Sequence, residues 1–372
     1  MKLRVERDAL ADAVSWTART LPKMSGTLSG ILLDATGEIL DLSSYDLDVS
    51  SEASLPSVVE EPGRVLVSGK LLADIARALP AAPVTIASDA GRVVLTCGRT
   101  RFTLPLLPET DYPPLPELPP EAGKTTGAAF AQAVGQTFVA TSKIDTMAMF
   151  MGIRMEIVGE DLTLAATDRY RLAVRELTWS PAAVGFEREV IVPGKSLFDV
   201  AKSLSGSEFV HLALAADERS DRSLGVVGDD RKFTTRLLDG QFPKFRDLLP
   251  RDFSSSVRAN VAELSDAIKR VALVAERHMP VRLNISEGEI ELRVGASEET
   301  QAVESVEASL EGSPMTIAFN PTFLLDGLHA LDEPVVVIRY NEAAKPSVIS
   351  GAADFEAEPA TDYRYLLMPV KI

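Results

Sequence analysis

The chain is poor in the residues that form disulfides and metal sites. It contains one cysteine, Cys97, and three histidines, His211, His278 and His329, among 372 residues. A single cysteine cannot form an internal disulfide, and the histidines lie too far apart in sequence for the short ligand spacings of common metal sites. We therefore expect no disulfide framework, no metal and no cofactor.

Long apolar runs are also missing. No run approaches the roughly 20 residues that span a bilayer. The first eight residues, from Met1 to Asp8, contain no apolar stretch of the signal-peptide type. The hydrophobic content of 46% and the charged content of 25% are ordinary for a globular protein. We therefore expect no membrane association and a cytoplasmic location.

Motifs of nucleotide binding and catalysis are incomplete. Gly123-Lys124-Thr125 and Gly194-Lys195-Ser196 resemble the end of a phosphate-binding loop, but Leu118 and Glu189 stand where that loop needs an earlier glycine. Asp168, beside two arginines, is interpreted as a turn residue that accepts the loop's hydrogen bonds rather than as a catalytic acid. An enzyme that uses scattered acidic residues is the alternative, and turnover of nucleotide or ester substrates distinguishes the two.

The net charge of −16 is unevenly distributed. Residues 1–122, 123–251 and 252–372 carry −6, 0 and −10. An acidic protein binds DNA if its basic side chains converge on one face. Composition alone therefore argues against a nucleic-acid partner, but the distribution of charge leaves one possible.

A threefold internal repeat is the most informative pattern in the sequence. Each third opens with an amphipathic helix, predicted at 8–21, 128–141 and 261–275. Alternating apolar and polar residues around Gly37, Gly159 and Gly288 then predict a β-hairpin in each third. A second helix follows, with apolar residues spaced i, i+3, i+4 and i+7, and this set recurs after 125 and then 127 residues. Its apolar positions are Leu72, Ile75, Ala76 and Leu79, then Leu197, Val200, Ala201 and Leu204, then Leu324, Gly327, Leu328 and Leu331.

Proline-rich segments mark the joints between the thirds. Seven prolines in residues 105–120 predict a stiff, extended connector, and residues 240–256 predict a second one. We therefore predict three domains, 1–122, 123–251 and 252–372, each a β-rich α+β unit with two helices on a sheet. Triplication for stability alone is one interpretation. The other is an arc of three domains, two of which close into a ring with twofold symmetry.

Five segments carry a family resemblance. They are Thr167–Val174, Val192–Lys195, Leu238–Pro243, Ala318–Asn320 and Tyr365–Ile372. On these segments the chain resembles the bacterial beta sliding clamp, the processivity subunit of the replicative polymerase, over its whole length. The resemblance implies a non-catalytic, head-to-tail homodimer, a six-domain ring that encircles double-stranded DNA. It also implies an ATP-driven clamp loader and tethering of the polymerase and repair proteins. A paralogue that keeps the fold without encircling DNA is the second alternative.

The resemblance further implies a cleft that binds a short extended peptide of each partner protein. A flexible methionine and an apolar C-terminal segment suit such a cleft, whereas a final buried strand is the alternative for Leu366, Met368 and Val370. The matching positions are Phe150, Thr167, Arg169, Tyr170, Arg171, Leu172, Pro243, Leu248, Asn320, Phe323, Ser347, Leu366, Met368, Pro369, Val370 and Lys371.

Two other sets of residues are candidates for DNA contact and for the subunit interface, and in the first set Lys23, Lys70 and Lys195 match positions where the family contacts DNA. Basic residues on the inward helices would contact DNA phosphates without reading sequence, the alternative being solvated helix faces. The DNA-binding candidates are Lys23, Lys70, Arg77, Lys143, Lys195 and Lys202. Phe102, Leu273 and Val274 match the subunit contact, although Leu273 and Val274 also fit a core position on an apolar helix face.

The segment that contains Phe150 departs from the family pattern. The common form has proline and leucine where this chain has Ala148 and Phe150. A phenylalanine ring is larger than a leucine side chain and would narrow the cleft. We therefore expect this chain to bind clamp peptides or inhibitors differently, as a second gene copy would.

Overall fold

The computed structural model describes residues 1–22, 26–89, 91–144, 147–215, 222–276, 279–295 and 301–371. The helices of this part are α1 (Arg7–Thr17), α2 (Gly69–Ala78), α3 (Gly127–Phe138), α4 (Gly194–Ser203), α5 (Val261–Val271) and α6 (Pro321–His329). Each predicted third therefore contains two helices. Short 3₁₀ turns follow α1 and α5, at Ala18–Thr20 and Ala272–Val274, so both helices end a few residues before the predicted positions.

Strands make up most of the remaining structure. In chain order they are β1 (Lys2–Val5), β2 (Gly30–Thr36), β3 (Ile39–Tyr45), β4 (Val49–Pro56), β5 (Val58–Glu61), β6 (Gly63–Ser68), β7 (Val84–Asp89), β8 (Arg92–Cys97), β9 (Thr100–Leu107), β10 (Glu121–Thr125), β11 (Gly152–Val158), β12 (Asp161–Thr167), β13 (Arg171–Thr178), β14 (Ser180–Pro181), β15 (Glu187–Pro193), β16 (Val210–Ala213), β17 (Ser223–Gly228), β18 (Arg231–Arg236), β19 (Ser255–Asn260), β20 (Val281–Ser286), β21 (Glu289–Val294), β22 (Ala302–Glu311), β23 (Met315–Phe319), β24 (Val335–Tyr340), β25 (Ser347–Ala352) and β26 (Tyr363–Leu367).

The packing of the chain defines two units, each built on one antiparallel sheet. The first unit comprises Met1–Ala128, Ser180–Val184 and Ser203–Leu237, and the second comprises the intervening residues and Leu238–Ile372. The first sheet has the order β14-β10-β16-β17-β18-β4-β3-β2-β6-β9-β8-β7-β1-β5. The second has the order β15-β11-β12-β13-β26-β25-β24-β19-β22-β21-β20-β23. The middle third thus contributes strands to both sheets, and the domain boundaries 1–122, 123–251 and 252–372 stay a proposal.

Local sequence signals explain the hairpins and the helix starts. Gly37, Gly159 and Gly288 have φ values of 63°, 61° and 86°, in the left-handed region that glycine adopts most readily. They confirm the three predicted hairpin turns, β2–β3, β11–β12 and β20–β21. Asn320 caps α6 by accepting hydrogen bonds from the backbone N–H groups of Thr322 and Phe323, and Pro321 follows it in the first turn, where no N–H donor is needed.

One expectation about the first connector was wrong. Pro105, which we assigned to the stiff connector, lies in β9 opposite Arg92 of β8. On its other side β9 pairs with β6 only through Leu106 and Leu107. Proline is tolerated in this strand because Pro105 lies outside the second ladder, where no N–H donor is needed.

The second connector lies on the second sheet. Phe245, in a 3₁₀ turn at Phe245–Leu248, is only 1% exposed and packs in a cluster with Leu172, Val174, Val348 and Leu366. The buried aromatic ring anchors the connector to strands β13, β25 and β26. This packing brings residues of the connector beside the turn between β12 and β13.

Candidate functional site

The turn between β12 and β13 is held by its own side chains. The Oδ1 atom of Asp168 accepts hydrogen bonds from the backbone N–H groups of Tyr170 (3.0 Å) and Arg171 (3.1 Å). The hydroxyl of Thr167 donates to the carbonyl oxygen of Arg171 (2.7 Å) and accepts from the N–H of Arg169 (3.2 Å). Asp168 is therefore a turn residue, as predicted. The turn places Arg169 in the left-handed region, with φ of 79°.

A mostly apolar cleft of about 230 Å³ opens beside this turn. Strand β26 forms its floor, because Leu366 pairs with Leu172 and Leu367 pairs with Arg171. Nine predicted residues meet here, and Pro346 is the one lining residue that we did not predict. The cleft is lined by Phe150, Thr167, Arg169, Arg171, Leu172, Pro243, Leu248, Pro346, Leu366 and Met368.

The other seven predicted cleft residues do not line the cleft. Tyr170 is 57% exposed, and its ring lies 6.3 Å from the ring of Phe323. Asn320 caps α6, and Ser347 is fully buried at the start of β25. Pro369, Val370 and Lys371 follow β26, where the N–H of Val370 donates to the carbonyl oxygen of Ala318.

The C-terminal segment fits neither of the two interpretations completely. Leu366 is 4% exposed within β26, as the buried-strand alternative expected, yet it also lines the cleft. Met368 and Val370 are 38% and 37% exposed. The strand therefore ends at Leu367, and the residues after it present apolar side chains to solvent.

A buried cation supports one wall of the cleft. Arg171, 2% exposed, donates from Nε to the Asp168 carboxylate (2.9 Å) and from Nη1 to Asp326 on α6 (2.6 Å). Its guanidinium lies 4.2 Å from the centroid of the Phe323 ring. Burial opposes this charge, but Tyr365, Asp326 and Asp168 together raise the pKa of Arg171 above its ordinary value. Arg171 is thus a buried, ion-paired part of the wall.

The second connector supplies the opposite wall through Pro243 and Leu248. An ion pair between Arg246 and Glu156 of β11 (2.7 Å) anchors it, and the Arg154 guanidinium lies 5.0 Å from the centroid of the Phe245 ring. The hydrogen bond from Arg246 lowers the pKa of the Glu156 carboxyl despite its partial burial. Sequence reasoning missed this anchor because only the fold brings the connector to β11.

Phe150 lies in the cleft wall, where it is 6% exposed. It belongs to a 3₁₀ turn, Ala148–Met151, just before β11. The Arg169 guanidinium lies 5.7 Å from the centroid of its ring, a distance at which a cation is attracted to an aromatic face. The aromatic ring and the arginine together form one edge of the cleft.

The predicted basic residues lie on exposed helix surfaces and loops. Lys70 and Arg77 of α2 line a groove between α1 and α2 in the first unit, where Arg77 pairs with Asp74 (2.5 Å). Lys195 of α4 pairs with Asp199. The remaining candidates, Lys143 and Lys202, are exposed, whereas Lys23 lies outside the described residues.

The three predicted subunit-contact residues differ in exposure. Leu273 is 84% exposed, so the core alternative is wrong for this residue. Phe102 on β9 and Val274 after α5 are half-buried. An apolar side chain as exposed as Leu273 is a candidate for burial by a partner.

Two negative findings apply to the described residues. No group of three or more His, Cys, Asp or Glu side chains among them is arranged to hold a metal ion. No helix among them is long and apolar enough to cross a membrane.

Comparisons with known proteins cover the whole chain. Its three thirds match models of the DNA polymerase III beta subunit: the N-terminal domain at residues 1–116, the central domain at 125–244 and the C-terminal domain at 246–370. The chain is 47% identical to the beta sliding clamp of Streptomyces coelicolor, over 100% of both chains. It is 40% identical to the beta sliding clamp homolog GriR of Streptomyces muensis, over 100% of this chain and 99% of GriR.

A solved structure has the same fold. The sliding clamp of Pseudomonas aeruginosa bound to griselimycin matches with a TM-score of 0.90 and 26% identity, over 100% of both chains. Three tandem clamp domains define the class of this protein as a DNA sliding clamp. The chain belongs to the DNA polymerase III beta subunit family, the bacterial beta sliding clamps, which are non-catalytic processivity factors.

Proposed function

We propose that the chain closes head to tail with a second copy into a six-domain ring around duplex DNA. In this ring the cleft beside Thr167 binds short extended peptides of the replicative polymerase, the clamp loader and repair proteins. The observation that carries the proposal is the convergence of nine predicted residues on one apolar cleft. Apolar clefts with a few placed polar groups are typical ligand sites. Because these proposed partners act on the bacterial chromosome, we also propose a cytoplasmic location.

The basic residues support the DNA part of the proposal. Exposed lysines and arginines on α2 and α4 would contact phosphates, and such contacts are independent of sequence and screened by salt. A ring needs only weak contacts of this kind, because an encircling protein cannot leave DNA sideways. Arg77 and Lys195 each pair with an aspartate of the same helix. These ion pairs would weaken the contacts with phosphate further, which suits sliding.

Retention on circular DNA tests encirclement. The protein is loaded onto nicked circular DNA with a clamp loader, and its retention is measured by gel filtration before and after linearisation. We expect retention on the circle and release from the linear form. Equal retention on both forms would mean that the protein binds DNA without encircling it.

Subunit closure is tested at Leu273 and Phe102. Exposed Leu273 and half-buried Phe102 support a contact between the third domain of one copy and the first domain of another. The pair Phe102→Ala and Leu273→Ala should shift sedimentation from dimer to monomer, whereas Val184→Ala, a control at another exposed residue, should not. A dimer unchanged by the pair contradicts this placement of the interface.

The chain is also proposed as a second-copy clamp with an altered cleft. The placement of Phe150 in the wall supports this, together with the 40% identity to a protein named a beta sliding clamp homolog. Griselimycin affinity is measured for wild type and Phe150→Leu by calorimetry. We expect the smaller leucine to change the affinity by several-fold, and equal affinities would dispose of this part of the proposal.

A further inference from the structure

The two arginines of the cleft differ in how their charges are balanced. The guanidinium of Arg171 is buried and already pairs with Asp168 and Asp326. A ligand carboxylate that approached it would meet two carboxylates that occupy the same donors. Arg171 therefore holds the wall in place and is a poor partner for an anionic ligand group.

Arg169 has the opposite character. Its side chain is exposed at the edge of the cleft and lies against the Phe150 ring. Its guanidinium forms no ion pair with any residue in the described part of the chain. Its donors are thus available to a ligand, while the aromatic ring restricts where the guanidinium lies.

The turn itself does not require arginine at this position. In the first repeat the corresponding turn between β3 and β4 has Leu47 at φ of 83°, where Arg169 has 79°. Asp46 accepts from the N–H groups of Asp48 and Val49, just as Asp168 accepts in the second repeat. The same backbone therefore forms with leucine, so the turn alone does not explain an arginine at this position.

We propose that Arg169 selects the charge of the ligand. This inference rests on the proposed peptide-binding function of the cleft and specifies its ligand class. An apolar side chain occupies the space between Leu172, Leu366 and Met368, and a carboxylate next to it on the same peptide pairs with the Arg169 guanidinium. Arginine and a carboxylate form two parallel hydrogen bonds, which are stronger than neutral ones.

A selection from random peptides tests the proposal and requires no identified ligand. Peptides from a random phage-displayed library are selected on the full-length wild-type protein, Arg169→Gln, Arg169→Lys and Lys244→Gln. Lys244 is a matched control, because it is exposed on the connector that supplies Pro243 and its loss changes the net charge equally. Thr167→Tyr is designed to block the cleft. Tyrosine is the residue at the corresponding position of the first repeat, Tyr45.

We expect acidic residues to be enriched beside the apolar anchor on wild type, Arg169→Lys and Lys244→Gln, but not on Arg169→Gln. Replacing the acid of a selected peptide by its amide should weaken binding to wild type by roughly 3- to 10-fold and to Arg169→Gln by less than about 2-fold. Equal enrichment on wild type and Arg169→Gln overturns the inference. Failure to select any peptide that Thr167→Tyr rejects overturns the proposed function itself.

Discussion

The first and second repeats contain the same turn with different side chains. In each, an aspartate, Asp46 or Asp168, accepts hydrogen bonds from the N–H groups two and three residues later. The residue after each aspartate is left-handed without being glycine. The N–H of Arg236 donates to the carbonyl oxygen of Asp48, and the N–H of Met368 donates to that of Tyr170. The backbone frame therefore repeats in detail.

The side chains on this frame decide which turn carries a cleft. Tyr45, at the position of Thr167, packs with Leu32, Leu66 and Tyr112 and donates to the carbonyl oxygen of Leu47 (3.1 Å). The second repeat has only the small Thr167 there, so the space above its sheet remains open. The Tyr45 ring occupies the space in the first repeat that the smaller Thr167 leaves open in the second.

The strand that follows each turn also has a different partner residue in the two repeats. In the first repeat Ser50 lies opposite Thr234, whereas in the second Leu172 lies opposite Leu366. The first junction is thus polar and the second apolar. One aspartate thus specifies the turn in both repeats, while three side chains, Thr167, Leu172 and Leu366, make the second copy apolar and open.

The largest effect is expected where the second repeat has a buried charge and the first repeat has none. Arg171→Ala leaves Asp168 and Asp326 without their cation, and removing one partner of a buried pair costs about 3 kcal/mol. Val49, at the corresponding position, is half-buried, and Val49→Ala should cost about 1 kcal/mol. Urea unfolding of both variants measures the difference. Equal losses in the free energy of unfolding would show that the ion pairs of Arg171 do not stabilise the protein.

Filling the cleft should have the next largest effect. Thr167→Tyr copies the first repeat and should weaken binding of a peptide selected on the wild-type protein by at least about tenfold, or about 1.4 kcal/mol. Thr167→Ser keeps the hydroxyl and the open space and should bind as wild type does. Calorimetry on the three proteins checks this. Unchanged binding to Thr167→Tyr would mean that the ligand lies elsewhere.

Replacing each of the two turn aspartates by asparagine separates the turn's hydrogen bonds from the ion pair with Arg171. Asn keeps an acceptor for the turn's N–H groups, so Asp46→Asn should change stability by less than about 0.5 kcal/mol. Asp168→Asn also loses the charge that pairs with Arg171 and should cost about 1 kcal/mol more. Denaturant midpoints test this ranking, and equal losses at the two positions would show that the turn rather than the ion pair dominates at Asp168.

The smallest effects are expected for the ion pairs that hold the two connectors. Arg246 of the second connector pairs with Glu156, whose side chain is 17% exposed. Glu109 of the first connector pairs with Arg64, and both of these side chains are more than 40% exposed. Glu156→Gln should cost about 0.5–1 kcal/mol and Glu109→Gln less than about 0.5 kcal/mol at pH 7.

The pH dependence of the Glu156 anchor has a definite sign. The folded pKa of Glu156 lies below its ordinary value of 4.5. The contribution of the Glu156 ion pair to the free energy of unfolding is therefore fully present above pH 4.5. It is lost as the pH falls through the folded pKa. The difference between wild type and Glu156→Gln should shrink in acid, and a difference that grows in acid contradicts the assignment.

Local signals predicted much of the fold. The hairpin glycines, the Asn320 cap and the hydrogen bonds of Asp168 follow from residues within a few positions of one another. The resemblance predicted most of the cleft lining. Pro346 was missed, because no nearby pattern distinguishes a proline that precedes a buried strand from one in an ordinary loop.

Contacts between distant residues were not predictable in this way. Asp326 lies 155 residues after Arg171, and neither the helical periodicity of α6 nor its composition indicates a buried partner. The same holds for Arg154 and Phe245, which meet only when the connector packs on β11. Exposure excludes the core alternative at Leu273, which the sequence could not do because an apolar helix position fits a core and a subunit contact equally well.

Hydrogen exchange with and without a peptide selected on the wild-type protein tests most directly whether the second repeat's turn is the ligand site. Amide exchange is followed by mass spectrometry on peptides that cover Tyr45–Ser50, Thr167–Leu172 and Tyr363–Met368. We predict slower exchange in the last two segments and no change at Tyr45–Ser50. Protection at Tyr45–Ser50, or none at Thr167–Leu172, would contradict the account.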